Sequence, residues 1–243
     1  MTEQNQEAVK KLKAILKTAK NVVFFGGAGV STESGIPDFR SSDGLYNQKY
    51  KFPPEKILSH SFFLSHTKEF FDFYRDKMVF TSAKPNIVHN KLADWERQGK
   101  HCTIVTQNID GLHEAAGSVQ IFNLHGTIHS NTCMDCGAKF NLGSVINTSG
   151  IPKCTCGGII KPDVVLYEEP LDDDVVTGAV RAIASADVLI VGGTSLSVYP
   201  AAGFINYFNG RHLVLINKTS TPYDRYATLT INAPLGEVFS QLD

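Results

Sequence analysis

The chain lacks the features that would place it in a membrane, on nucleic acid or in a disulfide scaffold. No run approaches the ~20 apolar residues that a bilayer-spanning helix needs. Its first residues, Met-Thr-Glu-Gln-Asn-Gln-Glu, hold neither an apolar secretory core nor an arginine-rich transit composition, so a cytoplasmic protein is expected. Charge of one sign is also missing: 23 Lys and Arg stand against 24 Asp and Glu, a net −1. So balanced a chain has no long-range field to draw it to nucleic acid or anionic lipid, and neither partner is expected. Cysteines number five, an odd count, and four of them fall between Cys133 and Cys156. In a reducing compartment that clustering points to metal rather than disulfides. There is no internal repeat and no low-complexity tract, and 243 residues suffice to bury a sizeable core.

The stretch from Val22 to Ser41 organises the rest. Val22-Val23-Phe24-Phe25 is the apolar run of a buried parallel strand, and Gly26-Gly27-Ala28-Gly29-Val30-Ser31 follows at once. Glycines there let the backbone turn sharply and press against phosphates, so the amides of Gly27, Gly29 and Ser31, at a helix N-terminus, fit a pyrophosphate. A tight strand-to-helix turn without ligand is the plainer alternative, because no third glycine completes G-x-G-x-x-G. Ser34-Gly35-Ile36-Pro37 then breaks the helix and presents Asp38, Phe39 and Arg40 together. An acid, a ring and a cation could hold an amide, cover a reactive carbon and pair with phosphate, which suggests chemistry on the nucleotide itself.

Apolar residues at three- and four-residue spacing predict an amphipathic helix over 7–20, with its lysines on a solvated face. Residues 53–80 carry two phenylalanine-rich helical patterns, read as a small helical module whose rings are core or line a cleft. A helix over 86–98 leads to a strand at 101–105, in which Cys102 is inert packing. At that strand's carboxyl end lie Gln107, Asn108, Ile109 and Asp110, where open parallel sheets bind ligands; a turn with Asp110 capping the next helix is the alternative. A short strand at 121–124 ends in His125-Gly126. Of the eight histidines, His125 has the position of a general base, against a structural hydrogen-bonding role.

Cys133-Met-Asp-Cys136 and Cys154-Thr-Cys156 have the spacing of a structural zinc ribbon closed by four thiolates. The second pair is tighter than usual, and His129 is the nearest substitute should Cys154 and Cys156 not both ligate. Reduced, unligated cysteines are the alternative. Residues 161–167 return to the main fold as an extended segment whose edge could receive a peptide or be an ordinary edge strand. Asp172, Asp173 and Asp174 open a helix. A strand at 187–191 runs into Gly192-Gly193-Thr194-Ser195, a second glycine turn into a helix, as when two βαβ halves share one dinucleotide. Thr194 and Ser195 can donate to phosphate or ribose, and Asn217, after the strand at 213–216, can read a ribose hydroxyl.

Gly27-Ala28-Gly29-Val30-Ser31, Gly35-Ile36-Pro37-Asp38-Phe39-Arg40, Thr106-Gln107-Asn108-Ile109-Asp110, Leu124-His125-Gly126, the cysteine pairs and Gly193-Thr194-Ser195-Leu196 together resemble the sirtuins, NAD-dependent protein lysine deacylases. The match covers nearly the whole chain in order and looks like a compact bacterial-type member. The resemblance implies an α/β fold: a Rossmann-like parallel sheet with helices on both faces (residues 1–40, 81–126 and 163–243). A small domain is added by the helical module and zinc ribbon (41–80 and 127–162). It implies removal of acetyl or other uncharged acyl groups from protein lysines, with NAD consumed and nicotinamide and O-acyl-ADP-ribose formed, and one structural zinc ion on Cys133, Cys136, Cys154 and Cys156.

By the same resemblance His125 looks like the base and Asn108 like the residue that positions ribose and water. Asp110 with Ile109 would bind the nicotinamide amide, Asp38 shape that pocket, Phe39 shield the reactive carbon and Arg40 meet phosphate. Ala28, Gln107, Gly193, Thr194, Ser195 and Asn217 complete the NAD set. Acetylated peptides would pair by strand addition with Val165, Leu166 and Tyr167 on one side and Val198 on the other. Two departures stand out. Tyr167-Glu168-Glu169 replaces the family's Phe-Gly-Glu, so Glu168 is expected to favour basic peptides. Phe71 and Tyr74 stand where succinyl- and malonyl-preferring members carry a Tyr-x-x-Arg pair, with Arg75 one position away. A protein ADP-ribosyltransferase using the same NAD site is the alternative activity.

Overall fold

The computed structural model describes residues 1–39, 41, 44, 45 and 50–242. Helix α1 (Glu3–Thr18) and strand β1 (Asn21–Gly26) lead into two 3-10 turns, Ala28–Val30 and Thr32–Ser34. A helical stretch follows, made of α2 (Pro54–Ile57), α3 (His60–Ser65), α4 (Thr67–Lys77) and α5 (Ile87–Arg97). Next come β2 (His101–Thr106), α6 (Leu112–Ala116), β3 (Ile121–Asn123), β4 (Gly126–Cys133), β5 (Lys139–Asn141), α7 (Gly143–Ile146) and β6 (Ile160–Val164). The chain closes with α8 (Asp173–Ser185), β7 (Val188–Gly192), a 3-10 stretch (Ala201–Tyr207), β8 (His212–Ile216), β9 (Leu229–Ile231) and α9 (Leu235–Phe239).

Six strands form one parallel sheet in the order β3-β2-β1-β7-β8-β9. Alternate side chains point to opposite faces, so each central strand feeds two cores. Val22 and Phe24 pack with α1, α5 and α9 through Leu12, Leu92, Trp95 and Phe239. Val23 and Phe25 pack on the other face with Ala179 and Ile183 of α8 and with the 3-10 stretch. Burial on both faces explains why these strands read as unbroken apolar runs, each large side chain contributing about 1.5–3 kcal/mol. The chain leaves β1 toward β2 on one side and later returns to β7 on the other. That reversal opens a crevice at the carboxyl ends of β1, β2 and β7.

Local chemistry sets the helix ends. Helix α1 begins a turn earlier than its apolar spacing predicts, because the Thr2 hydroxyl accepts from the Asn5 amide and caps it. Asn86 caps α5, and the Asp172 carboxylate accepts from the Asp174 and Val175 amides at the start of α8, so the acidic run is a cap.

The second sheet, β5-β4-β6, is antiparallel. It shares one core with the helical module: Phe62, Phe63, Phe70 and Phe71 meet Ile128, Ile160 and Val164. The phenylalanines are thus chiefly core. Contrary to a direct return to the main sheet, the stretch from 161 pairs first with β4, with Gly126 opposite Val164. Both glycine turns also run into 3-10 structure in place of α-helix. No described helix is long and apolar enough to cross a membrane.

Candidate active site

One cavity of about 600 Å³ lies over the crevice. It is lined by Gly27, Ala28, Gly29 and Ser31 after β1, and by Gln107, Asn108, Ile109 and Asp110 after β2. Gly193, Thr194 and Ser195 after β7, and Asn217 after β8, face the same space. His125, Asp38 and Phe39 join them, as do Val165, Leu166, Tyr167 and Val198. Arg40 lies outside the described residues.

The glycine turns grip each other. Gly27 N–H donates to the Gly192 carbonyl at 3.3 Å, Gly29 N–H to Gly193 at 2.8 Å, and Ser31 N–H to Ala28 at 3.1 Å. The three amides that the spacing aims at a pyrophosphate are therefore already engaged. Ala28 N–H is left without a partner among the described residues. A Cβ on Gly29 would sit 2.8 Å from Gly193 Cα, so glycine is required here for loop-to-loop contact. The join extends sideways: Gln107 Nε2 donates to Thr194 Oγ1 at 3.1 Å, and Thr194 N–H to Asn217 Oδ1 at 3.1 Å. Asn217 Nδ2 is buried with no hydrogen-bond partner among the described residues, an orphaned donor on the cavity wall that suits a ligand oxygen.

Ser31 Oγ donates to Asp110 Oδ2 at 2.7 Å and accepts from Asn108 Nδ2 at 3.1 Å. The other Asp110 oxygen accepts from Leu112 N–H at 2.9 Å. Asp110 thus caps α6 and also belongs to the site, so both readings of it hold. Burial raises its pKa, opposed by the hydrogen bonds from Leu112 and Ser31. His125 is set by the link from β3 to β4. Gly126 beside it has φ 73° and packs against the Asp163 carbonyl where a Cβ would overlap. Its Nδ1 lies 2.9 Å from the Gln107 carbonyl, and burial lowers its pKa from 6.5, partly offset by that bond. A neutral ring with Nδ1–H donating leaves Nε2 as a base.

The wall expected to receive a peptide is half occupied. Val165 N–H donates to the His125 carbonyl, Tyr167 N–H to Leu58, and His60 N–H to the Tyr167 carbonyl, each at 2.9 Å. Leu166 N–H donates to Glu169 Oε2 at 2.8 Å. Among the described residues this leaves the Val165 carbonyl and both backbone groups of Glu168 open. Glu168 occupies φ 75° and lines the cavity, but its carboxylate accepts from Ser61 N–H at 2.8 Å and Ser61 Oγ at 3.0 Å. Both oxygens accept from neutral groups of Ser61.

Spacing alone does not assign Tyr74 and Lys218, which also line the cavity. The Tyr74 hydroxyl is buried and unpartnered among the described residues, and burial raises its pKa. Its signal is the resemblance that sets Phe71 and Tyr74 at the Tyr-x-x-Arg positions.

The sulfurs of Cys133, Cys136, Cys154 and Cys156 lie within 4.8 Å of one another. Cys133 and Cys156 are 3.5 Å apart and Cys136 and Cys154 3.7 Å. Four thiolates at about 2.3 Å from a tetrahedral zinc would stand about 3.8 Å apart, so the set fits that ion. His129 is not among them; its Nε2 lies 3.1 Å from the Asp110 carbonyl.

A Rossmann-like sheet whose switch-point crevice is roofed by a helical module and a four-cysteine sheet defines a class of dinucleotide-using α/β proteins. The chain belongs to the Sir2 family, whose family model matches residues 27–200. It is 58% identical to an NAD-dependent protein deacetylase of Clostridium acetobutylicum over 236 residues, covering 96% of each chain. It is 56% identical over 240 residues to one from Clostridium perfringens, covering 97% of this chain and 98% of the other. Among solved structures, a Sir2 complex with p53 peptide and NAD+ aligns with TM-score 0.84 and 36% identity, covering 96% of this chain and 95% of that one. A Sir2 variant with deacetylated p53 peptide and 3'-O-acetyl ADP ribose aligns with TM-score 0.88 and 36% identity, covering 96% of both.

Proposed function

We propose that the protein is an NAD-dependent protein-lysine deacetylase in which His125 is the catalytic base. NAD is the co-substrate. Its phosphates and riboses lie along the joined glycine turns, where Ala28 N–H, Ser195 and the orphaned Asn217 amide supply donors. Nicotinamide sits toward Asp38, Ile109 and Asp110, with Phe39 over the reacting carbon. The acyl-lysine enters from the wall formed by Val165, Leu166, Tyr167 and Val198. Asn108, tied to Ser31, positions ribose and water. His125 takes a proton from a ribose hydroxyl at Nε2, which lets that hydroxyl carry the transfer onward to O-acyl-ADP-ribose.

The observation that carries this reading is the His125 ring, held through Nδ1 by the Gln107 carbonyl in the cavity that both glycine turns line. The tetrathiolate site would hold one zinc ion. With four protein ligands it leaves no open position, so its contribution is to clasp β4 to the loop before β6. Bacterial relatives of matching length support a cytoplasmic place of action.

Mass spectrometry of an acetyl-lysine peptide incubated with the protein is the test. Loss of 42 Da, to be read as about one acetyl group, is expected with NAD only, and His125→Ala should slow it about 10²-fold or more. Deacetylation without NAD, or undiminished in the variant, would overturn the reading.

A further inference from the structure

Glu168 combines three observations. It has φ 75°, a region that non-glycine residues seldom occupy and that costs backbone strain. Its own N–H and C=O have no partner among the described residues, while the N–H groups of Val165, Leu166 and Tyr167 and the carbonyls of Leu166 and Tyr167 are engaged. Its carboxylate reaches across to the helical module and accepts both the N–H and the hydroxyl of Ser61. Ser61 lies in the first turn of α3, whose amides have no partner within the helix, so the carboxylate answers a donor that would otherwise be open.

The contact does not stand alone. Glu169 receives Lys161 Nζ at 3.1 Å and sits 2.8 Å from His60 Nδ1, while Ser59 and Tyr167 form a parallel bridge. Residues 167–169 are thus tied to the chain at and just before the start of α3. At Glu168 both backbone groups lack a partner among the described residues, and there the cavity passes.

We propose that Glu168 is a positioning residue for the substrate polypeptide. Its clasp on Ser61 holds the left-handed backbone at 168, so that its free N–H and C=O are set to pair with the main chain beside the acyl-lysine. This rests on the deacetylase reading above. Released from Ser61, the segment loses the side-chain bonds that sustain the strained conformation, and peptide binding weakens while the cofactor end of the cavity is untouched.

The test is steady-state kinetics with an acetyl-lysine peptide and NAD on Glu168→Ala, Glu168→Gln, Ser61→Ala and the Glu168→Ala/Ser61→Ala double variant. For Glu168→Ala the peptide KM should rise about fivefold or more, the effect of two lost hydrogen bonds to a charged group, with the NAD KM and kcat within about twofold. Glu168→Gln, which keeps one acceptor, should restore most of the loss. Ser61→Ala should raise the peptide KM less, because its amide remains, and should add nothing to Glu168→Ala. A peptide KM unchanged in Glu168→Ala, an equal rise in the NAD KM, or independent effects of the two substitutions would overturn the proposal. Absence of NAD-dependent deacetylation in the unaltered protein would instead sink the functional reading, so the two failures are separable.

Discussion

The Gln107 carbonyl lies 2.9 Å from His125 Nδ1, joining the end of β2 to the start of β4. The bond fixes which ring nitrogen carries the proton in the neutral imidazole. Burial lowers the pKa below 6.5, and the bond to Gln107, which favours the charged form, opposes it only in part. The base is therefore in its working form at neutral pH. It follows that the acid limb of kcat/KM for the acetyl peptide should be centred below the ordinary histidine value. A limb centred at or above pH 7 would contradict the assignment.

Two further imidazoles are buried. His89 and His113 lie with ring centroids 4.6 Å apart, and both His113 nitrogens lack partners among the described residues. Burial lowers the His89 pKa to about 4; for His113 burial, with a contribution from His89, lowers it well below 6.5. The sign follows from proton uptake. Between these folded values and 6.5 the unfolded chain binds more protons, so stability present above pH 6.5 is lost as the pH falls toward 4. The slope is at most about 1.4 kcal/mol per pH unit for each group. Urea unfolding measured from pH 7.5 to 4.5 should show that decline, and a flat curve would contradict the neutral buried pair.

The four sulfurs form a site that closes a sheet. Metal analysis should return one zinc per chain. Removal by a strong chelator, or Cys136→Ala, should lower thermal stability and abolish deacetylation together, because β4 carries both Cys133 and the residue after His125. Full activity in zinc-free protein would refute a structural ion here.

Acyl choice follows from where the cations point. Arg75 donates Nε to the Val145 carbonyl at 2.9 Å and Nη2 to Gly150, so its guanidinium is turned to the α7 region and is absent from the cavity lining. Lys77 and Lys218 line the cavity, Lys77 sitting 3.0 Å from Asp76, and neither offers a bidentate fork. Tyr74 offers a neutral hydroxyl. A succinyl carboxylate would be desolvated without a bidentate partner, so succinyl peptide should be processed at least about tenfold less efficiently than acetyl peptide. Comparable kcat/KM values would show that another group receives the acid.

What the sequence made legible was local. Val22 to Phe25, the strand at 187–191 and the paired cysteines each carry their signal within a few residues, as a run or a spacing. Relationships across the chain were not visible in this way. Gly29 reads as a phosphate donor because its type and place allow it, whereas its amide is taken by Gly193, 164 positions on, a contact no spacing encodes. The same holds for residues 161–164: an extended pattern fixes a strand but not whether β4 or the main sheet receives it. Glu168 is the sharpest case. Residue type argues against φ 75°, and only the long-range bonds to Ser61 accompany it there.

The central claim is that His125 acts on the sugar of bound NAD, and a crystal structure with NAD and an acetyl-lysine peptide tests it most directly. His125 Nε2 should lie within hydrogen-bond reach, about 2.6–3.2 Å, of a hydroxyl on the ribose that bears nicotinamide, directly or through one water. An imidazole turned away from that ribose, with another side chain in its place, would contradict the account.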